Sequence, residues 1–270
     1  MAARSLWRGS ISFGLVNIPI RLYSATDDRV FSFNQLCENG HRIQYKRWCP
    51  IEAREVPFEE IKKGYEIAKD NYVVVEKEEL KKISIKTTKT IDIKEFVTEE
   101  ELDPIFVEKS YYVGPDSKTG TDKAYSLFVA VLKDTKKVAV GKVVLRDREQ
   151  LVALRAYQRG IVLHVLHFLD EIRPMDEIKE ITANATAKIK INEQELELGK
   201  TLVEQLTSEE LDISEFYDAY TKEVEQLIAA KTKGKEIIAT AQPESEESAR
   251  DLLSALKASI GTRSVRTRKR

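Results

Sequence analysis

Alternation of apolar and polar side chains runs through the first two thirds of the chain and predicts strands. In residues 5–13, Trp7, Ile11 and Phe13 share one phase with Gly9, while Arg8 and Ser10 fall in the other. Gly14 breaks the run and a second strand is expected over 16–23. Pro19 inside it removes a ladder donor, which predicts an edge strand or a bulge. Further alternating or β-branched runs cover 72–75, 90–97, 105–113 and 138–145, each bounded by charge, Gly or Pro, and together they predict a β-rich core. Residues 151–172 are apolar enough for one buried helix or two buried strands, and Gly160 between the halves favours strand–loop–strand.

Helical spacing is confined to fewer places. Over 121–132, Asp122 lies in the first turn and Ala124, Leu127, Phe128, Val131 and Leu132 form an apolar stripe. After Pro174 the composition changes. Phe216, Tyr217, Tyr220, Val224, Leu227 and Ile228 recur at three and four residues, predicting an amphipathic helix over 214–230 with Asp212 or Ser214 as its N-cap and an acidic opposite face. Residues 231–249, KTKGKEIIATAQPESEESA, read as a linker. A short helix is expected over 251–260, capped by Ser248, with Leu252, Leu253, Leu256 and Ile260 on one face and almost nothing local to bury them. Such a segment either docks in a partner's groove or folds back on its own domain.

Composition bounds the class. A chain of 270 residues with 42% apolar side chains can sustain one large core or two small ones. No apolar run reaches the ~18 residues of a membrane span, and MAARSLWRGS leads into alternation rather than a signal-peptide block, so a cytoplasmic protein is expected. Cys37 and Cys49 are the only cysteines, which fits a reducing compartment.

With 44 Lys+Arg against 45 Asp+Glu, a formal charge of −1 argues at first sight against nucleic acid. Resolved along the chain, it separates into blocks. Residues 1–56 carry +3 and 111–160 carry +5, whereas 192–230 carry −9 and the last fourteen residues carry +6 with no acid at all. Screening acts over ~8 Å at physiological salt, less than a domain's width, so these local fields survive the cancellation.

Catalytic chemistry has no visible seat. The chain has neither the glycine spacing of a P-loop nor that of a dinucleotide fold. His164 and His167 lie in an apolar stretch that fits a barrel wall, and Ser12 in SISFG has the wrong glycine spacing for a nucleophile elbow. A β-barrel hydrolase or transferase using Ser12, His164 or His167 is the competing reading; a plain interaction protein that binds through its basic tail is another. Cys37, His41 and Cys49 fall within thirteen residues, but the spacing lacks the Cys-x2-Cys pair and fourth ligand of a structural zinc site. No metal or cofactor is expected.

The stretch over residues 4–26, containing SLWRGSISFGLVNIPIRLYSAT, and HRIQYKRWCP at 41–50 resemble the N-terminal signature of prokaryotic Ku proteins. SYYVGPD at 110–116, KAYSLF at 123–128, GKVVLRDREQLVALR at 141–155, FLDEIR at 168–173 and DLLSALKASI at 251–260 follow that family's order, so the likeness covers nearly the whole chain. The resemblance implies an α+β, β-dominated fold: a Ku-like β-barrel core with a DNA-encircling bridge, peripheral helices and a C-terminal helical arm. It implies core and bridge over 1–190, an acidic helical arm over 191–230, a linker over 231–250, a partner-docking helix over 251–260 and a basic tail over 261–270. It further implies a nucleoid-associated homodimer that threads onto double-stranded DNA ends without sequence preference or catalysis. The ring would recruit a multifunctional end-joining ligase and polymerase through Leu252, Leu253, Leu256 and Ile260. Many members carry a Cys-x2-Cys pair where this chain has Cys49-Pro50-Ile51-Glu52, so no metal is carried over.

A ring that slides over any sequence holds phosphates and sugars rather than base edges. The candidate contacts in the two basic core blocks are Arg4, Arg8, Arg42, Lys46, Arg47, Lys118, Lys123, Lys136, Lys137, Arg146, Arg148, Arg155 and Arg159. The acidic block at 192–230 would face away from the duplex.

Overall fold

A computed structural model describes residues 3–27, 31–82, 89–116, 122–145, 148–181 and 191–233. The chain divides into two compact units, Met1–Arg173 and Pro174–Arg270. In the first unit the strands are β1 (Trp7–Phe13), β2 (Val16–Ser24), β3 (Trp48–Cys49), β4 (Arg54–Glu55), β5 (Lys63–Ala68) and β6 (Asn71–Val75). They continue with β7 (Thr90–Thr98), β8 (Val107–Pro115), β9 (Lys137–Leu145), β10 (Arg148–Tyr157) and β11 (Gly160–Leu166). The helices among the described residues of this unit are α1 (Lys77–Lys82) and α2 (Asp122–Thr135).

Seven strands close into a barrel in the order β1-β2-β8-β11-β10-β9-β7. Their alternation supplies the core: Ile11 opposes Ile18, and Leu22, Val113, Ile161, Leu163, Val152, Leu154 and Val143 fill the interior. All neighbouring strands are antiparallel except at the seam, where Ser10–Ser12 pair in parallel with Thr90–Asp92. Here β7 is squeezed from both sides. A Cβ on Gly9 would lie 2.2 Å from the Lys89 carbonyl and one on Gly141 would lie 2.4 Å from the Asp92 carbonyl, so both positions require glycine. The stripe Tyr125, Phe128 and Leu132 of α2 enters the same core, with Phe128 stacked on Phe13 at 5.1 Å between centroids. A smaller cluster, Val138, Ala153 and Leu166, lies outside the barrel under Leu102, Phe106 and Val107.

Pro19 corrects one expectation. Strand β2 is an interior strand of the closed barrel, and its pairing with β1 runs through Pro19 without a bulge. The proline is tolerated because its carbonyl faces the end of β8, where it accepts from the Asp116 amide at 3.1 Å. The missing N–H points the same way, beyond the last register pair Ile20–Pro115, so its loss falls at the end of that ladder.

The run at 72–75 is a strand but not part of the barrel core: β6 pairs only with β5. Together with β3, β4 and α1 it belongs to an insertion of residues 25–89 between β2 and β7.

Among the described residues of the second unit the helices are α3 (Glu193–Leu206) and α4 (Ala219–Thr232). Helix α3 begins at a capping box, Asn192 with Glu195. The helix expected over 214–230 starts later. Asp212 spends its carboxylate on the Ser214 amide and hydroxyl in a separate short turn, and Asp218 accepts from the Thr221 amide at 3.2 Å as the actual N-cap. Phe216 and Tyr217 therefore precede the helix and are exposed. The docking helix expected over 251–260, with Leu252, Leu253, Leu256 and Ile260, lies outside the described residues.

Candidate nucleic-acid interface

Seven of the eleven described basic candidates fall into three groups. The first rides on the insertion. Arg42 pairs with Leu36 in an isolated bridge, Lys46 donates to Glu55 at 2.9 Å, and the Arg47 guanidinium lies 5.3 Å from the Phe58 ring centre. The hydrogen bond to Glu55, then that residue's charge, raises the Lys46 pKa, so the ammonium stays charged. Tyr45, Trp48 and Tyr65 of the same insertion are exposed. The segment thus carries cations and aromatic rings on a scaffold almost without a core of its own.

The second group is on the outer wall. Arg8 on β1 stands directly opposite Arg21 on β2. Two like charges in that register repel. Asp116, immediately beyond β8, resolves the conflict: its Oδ2 accepts from Arg8 Nε at 2.5 Å, and its Oδ1 accepts from Arg21 Nε at 3.1 Å and Nη2 at 2.9 Å. The Asp116 side chain is 1% exposed, while that of Arg8 remains 60% exposed. Burial pushes the Asp116 carboxyl up, but hydrogen bonds from Arg21 and Arg8 and their charges outweigh it and hold the pKa below the ordinary carboxylate value.

The third group surrounds a cavity of about 640 Å³ between the end of α2 and the β7, β9 and β10 strands. Lys133, Lys136, Lys137 and Arg155 line it together with Glu99 and Glu100. Arg155 is committed to the wall: its Nε donates to His164 Nε2 at 3.1 Å and lies 3.6 Å from Glu99, and its guanidinium sits 5.4 Å from the Tyr157 ring centre.

The remaining candidates do not join these groups. Arg4 is exposed ahead of β1, Lys123 is exposed in the first turn of α2, and Arg159 is exposed in the turn between β10 and β11. Arg148 lines a small cavity of about 200 Å³ with Glu108, Glu149 and Glu171, an acidic surrounding. Lys118 and Arg146 lie outside the described residues. Arg21, Asp116 and Lys133 escaped the sequence reading. Arg21 was within reach of it, because the two-residue turn after Phe13 fixes Arg8 opposite Arg21, whereas Asp116 lies 108 residues from Arg8.

Ser12, His164 and His167 do not assemble into a catalytic group. Ser12 is part of β1 opposite Asn17, His164 is bound to Ser110 and Arg155, and His167 lies 3.5 Å from Glu171. Cys37 Sγ and His41 Nδ1 are 3.7 Å apart, but among the described residues no group of three His, Cys, Asp or Glu side chains is placed to hold a metal ion. Among those residues, too, no helix is long and apolar enough to cross a membrane.

Comparison with known proteins agrees with the architecture. The profile of the Ku70/Ku80 beta-barrel domain matches residues 12–198. The non-homologous end joining protein Ku of Archaeoglobus fulgidus is 42% identical over 258 residues, covering 95% of this chain and 98% of that protein. The proteins of the same name from Solibacter usitatus and Heliobacterium modesticaldum are 40% and 38% identical, over 96% of this chain and 93% and 92% of theirs. A closed barrel interrupted by a long polar insertion, matched along its length in this way, makes the chain a member of the Ku family.

Proposed function

We propose that two copies of this chain form a ring around double-stranded DNA ends in non-homologous end joining, hold the phosphate backbone without reading sequence, and recruit the end-joining ligase and polymerase. The ring performs no bond-making itself. The relatives named for end joining support the DNA-end role.

The observation that carries the ring is the insertion at 25–89. Every residue of β5 and all of β6 but Val75 are exposed, with Tyr65 and Val73 on one face of the ribbon and Tyr72 and Val74 on the other. A two-stranded ribbon is marginal alone in water. A ribbon that leaves both faces open is built to be covered, and the second copy of the chain and the duplex are the two surfaces this reading supplies. Cations on the same insertion, Arg42, Lys46 and Arg47, then meet phosphates. Such contacts release counterions, so a ring making ~6–10 of them loses ~10³–10⁵ in affinity between about 50 and 200 mM salt.

The test is topological. The protein is bound at low salt to linear duplex, whose ends are then blocked, and to covalently closed duplex of the same sequence, and both are challenged with salt. Retention on the linear form with release from the circle is expected. Equal retention on both would overturn threading.

A further inference from the structure

The geometry points to the Arg8–Arg21 pair as a preorganised phosphodiester-binding site, with Asp116 as its positioning residue. This inference rests on the end-binding reading and goes beyond it. Buried carboxylates are costly unless fully hydrogen-bonded, and this one is bonded on both oxygens to two arginines that would otherwise repel across the β1–β2 ladder. Arg21 is largely covered, at 26% exposure, and gives both Nε and Nη2 to Asp116. Arg8 gives its Nε, and most of its side chain stays in solvent. Holding Nε fixes the plane of the guanidinium and directs its Nη fork outward, the geometry that matches two oxygens of a phosphate. The cluster carries a net charge of +1, with its negative member buried and its positive fork exposed. A free arginine would lose rotamer freedom on binding a phosphate, whereas Arg8 is already ordered.

The sign of one substitution separates positioning from simple charge. Asp116→Asn removes a negative charge near the site, so charge alone predicts tighter DNA binding. Positioning predicts the opposite, because an amide keeps one acceptor and turns a donor toward a guanidinium. The full-length protein, its D116N and R8K variants and R8Q are titrated with a short linear duplex over a salt series, with thermal melting followed in parallel. D116N is expected to bind about tenfold more weakly and to lose about one phosphate contact per chain from the salt slope, as R8Q does. R8K keeps the charge but not the fork and should weaken binding with an unchanged melting temperature. Unchanged or tighter binding by D116N, with duplex binding by the unmodified protein intact, would overturn the inference alone. If D116N does not fold, R8K decides: binding equal to the unmodified protein overturns it, and weakening at unchanged melting supports it. Absence of duplex binding by the unmodified protein would overturn the end-binding reading and this site with it.

Discussion

Arg155 Nε donates to His164 Nε2 at 3.1 Å across the β10–β11 ladder, and this bond assigns the imidazole tautomer. A guanidinium has no acceptor, so Nε2 must present its lone pair. The neutral ring then carries its proton on Nδ1, which donates to Ser110 Oγ at 2.8 Å. Protonating Nε2 would break the first bond and set two cations together.

An acid-sensitive stability follows from that arrangement. Burial first, and then the Arg155 charge, lower the His164 pKa, with Glu99 opposing weakly. The unfolded chain therefore binds the proton better than the folded one. The contribution of neutral His164 is complete above about pH 6.5, the ordinary imidazole value, and is lost as the pH falls toward the folded value. His164→Asn should flatten the fall in melting temperature between about pH 7 and 5 relative to the unmodified protein. Parallel melting curves for the two would show that another group sets the acid limb.

The Tyr125 hydroxyl ties α2 into the barrel wall. It donates to the Val113 carbonyl at 2.5 Å and accepts from the Ile161 amide at 3.2 Å, and these two residues are register partners on β8 and β11. Burial raises the Tyr125 pKa against the opposing pull of the Ile161 amide, which keeps the phenol protonated at neutral pH. Tyr125→Phe leaves a buried carbonyl and amide without that relay. A loss of about 1–3 kcal/mol is expected in denaturant unfolding, with the slope against denaturant unchanged. A loss well below that range would mean the two strands close the gap between themselves.

Much of the barrel was legible because its strands alternate in phase: β1, β7 and β9 stand where Ile11, Ile91 and Val143 announce them, and Gly160 correctly separated β10 from β11. The readings that failed depended on where a partner ends. Pro19 reads as an edge residue locally, and only the termination of β8 at Pro115 makes it harmless inside a closed barrel. The start of α4 was missed because Asp212, Ser214 and Asp218 are all good caps, and the choice is made by which carboxylate meets a helical amide. Of the candidate site, the basic residue types were readable but their employment was not. Arg155 serves the wall, whereas Arg8 became legible as a site only through a carboxylate 108 residues away.

Substitutions in the C-terminal segment test the proposed recruitment apart from DNA binding. Leu253→Asp and Leu256→Asp each place a charge on the apolar face that the spacing of Leu252, Leu253, Leu256 and Ile260 predicts. A docking peptide in an apolar groove would lose at least ~2 kcal/mol of binding from such a change. Duplex binding is expected to stay unchanged while stimulation of the partner ligase disappears. Full stimulation by both variants would move the recruitment surface elsewhere. Truncation after Ile260 isolates the tail: if duplex binding vanishes completely, the barrel and its insertion are not the DNA site.

The ribbon on the insertion sets a stricter demand. Tyr65 and Val73 are register partners on one face of β5 and β6, and both are exposed, so neither contributes to a core within the described residues. Aspartate at both positions should therefore leave the melting of the barrel unchanged. In a ring the same two changes would put charge into the covered face, where a central anchor residue is worth at least ~2 kcal/mol, or about 30-fold in dimer dissociation. Sedimentation of the Tyr65→Asp, Val73→Asp protein should show a shift toward monomer at micromolar concentration. Because a monomer cannot enclose a duplex, retention on linear DNA after the salt challenge should fall with it. A variant that remains dimeric and retained would place the ring's closure outside this ribbon; one that becomes monomeric yet stays retained would mean that the chain holds DNA ends without encircling them.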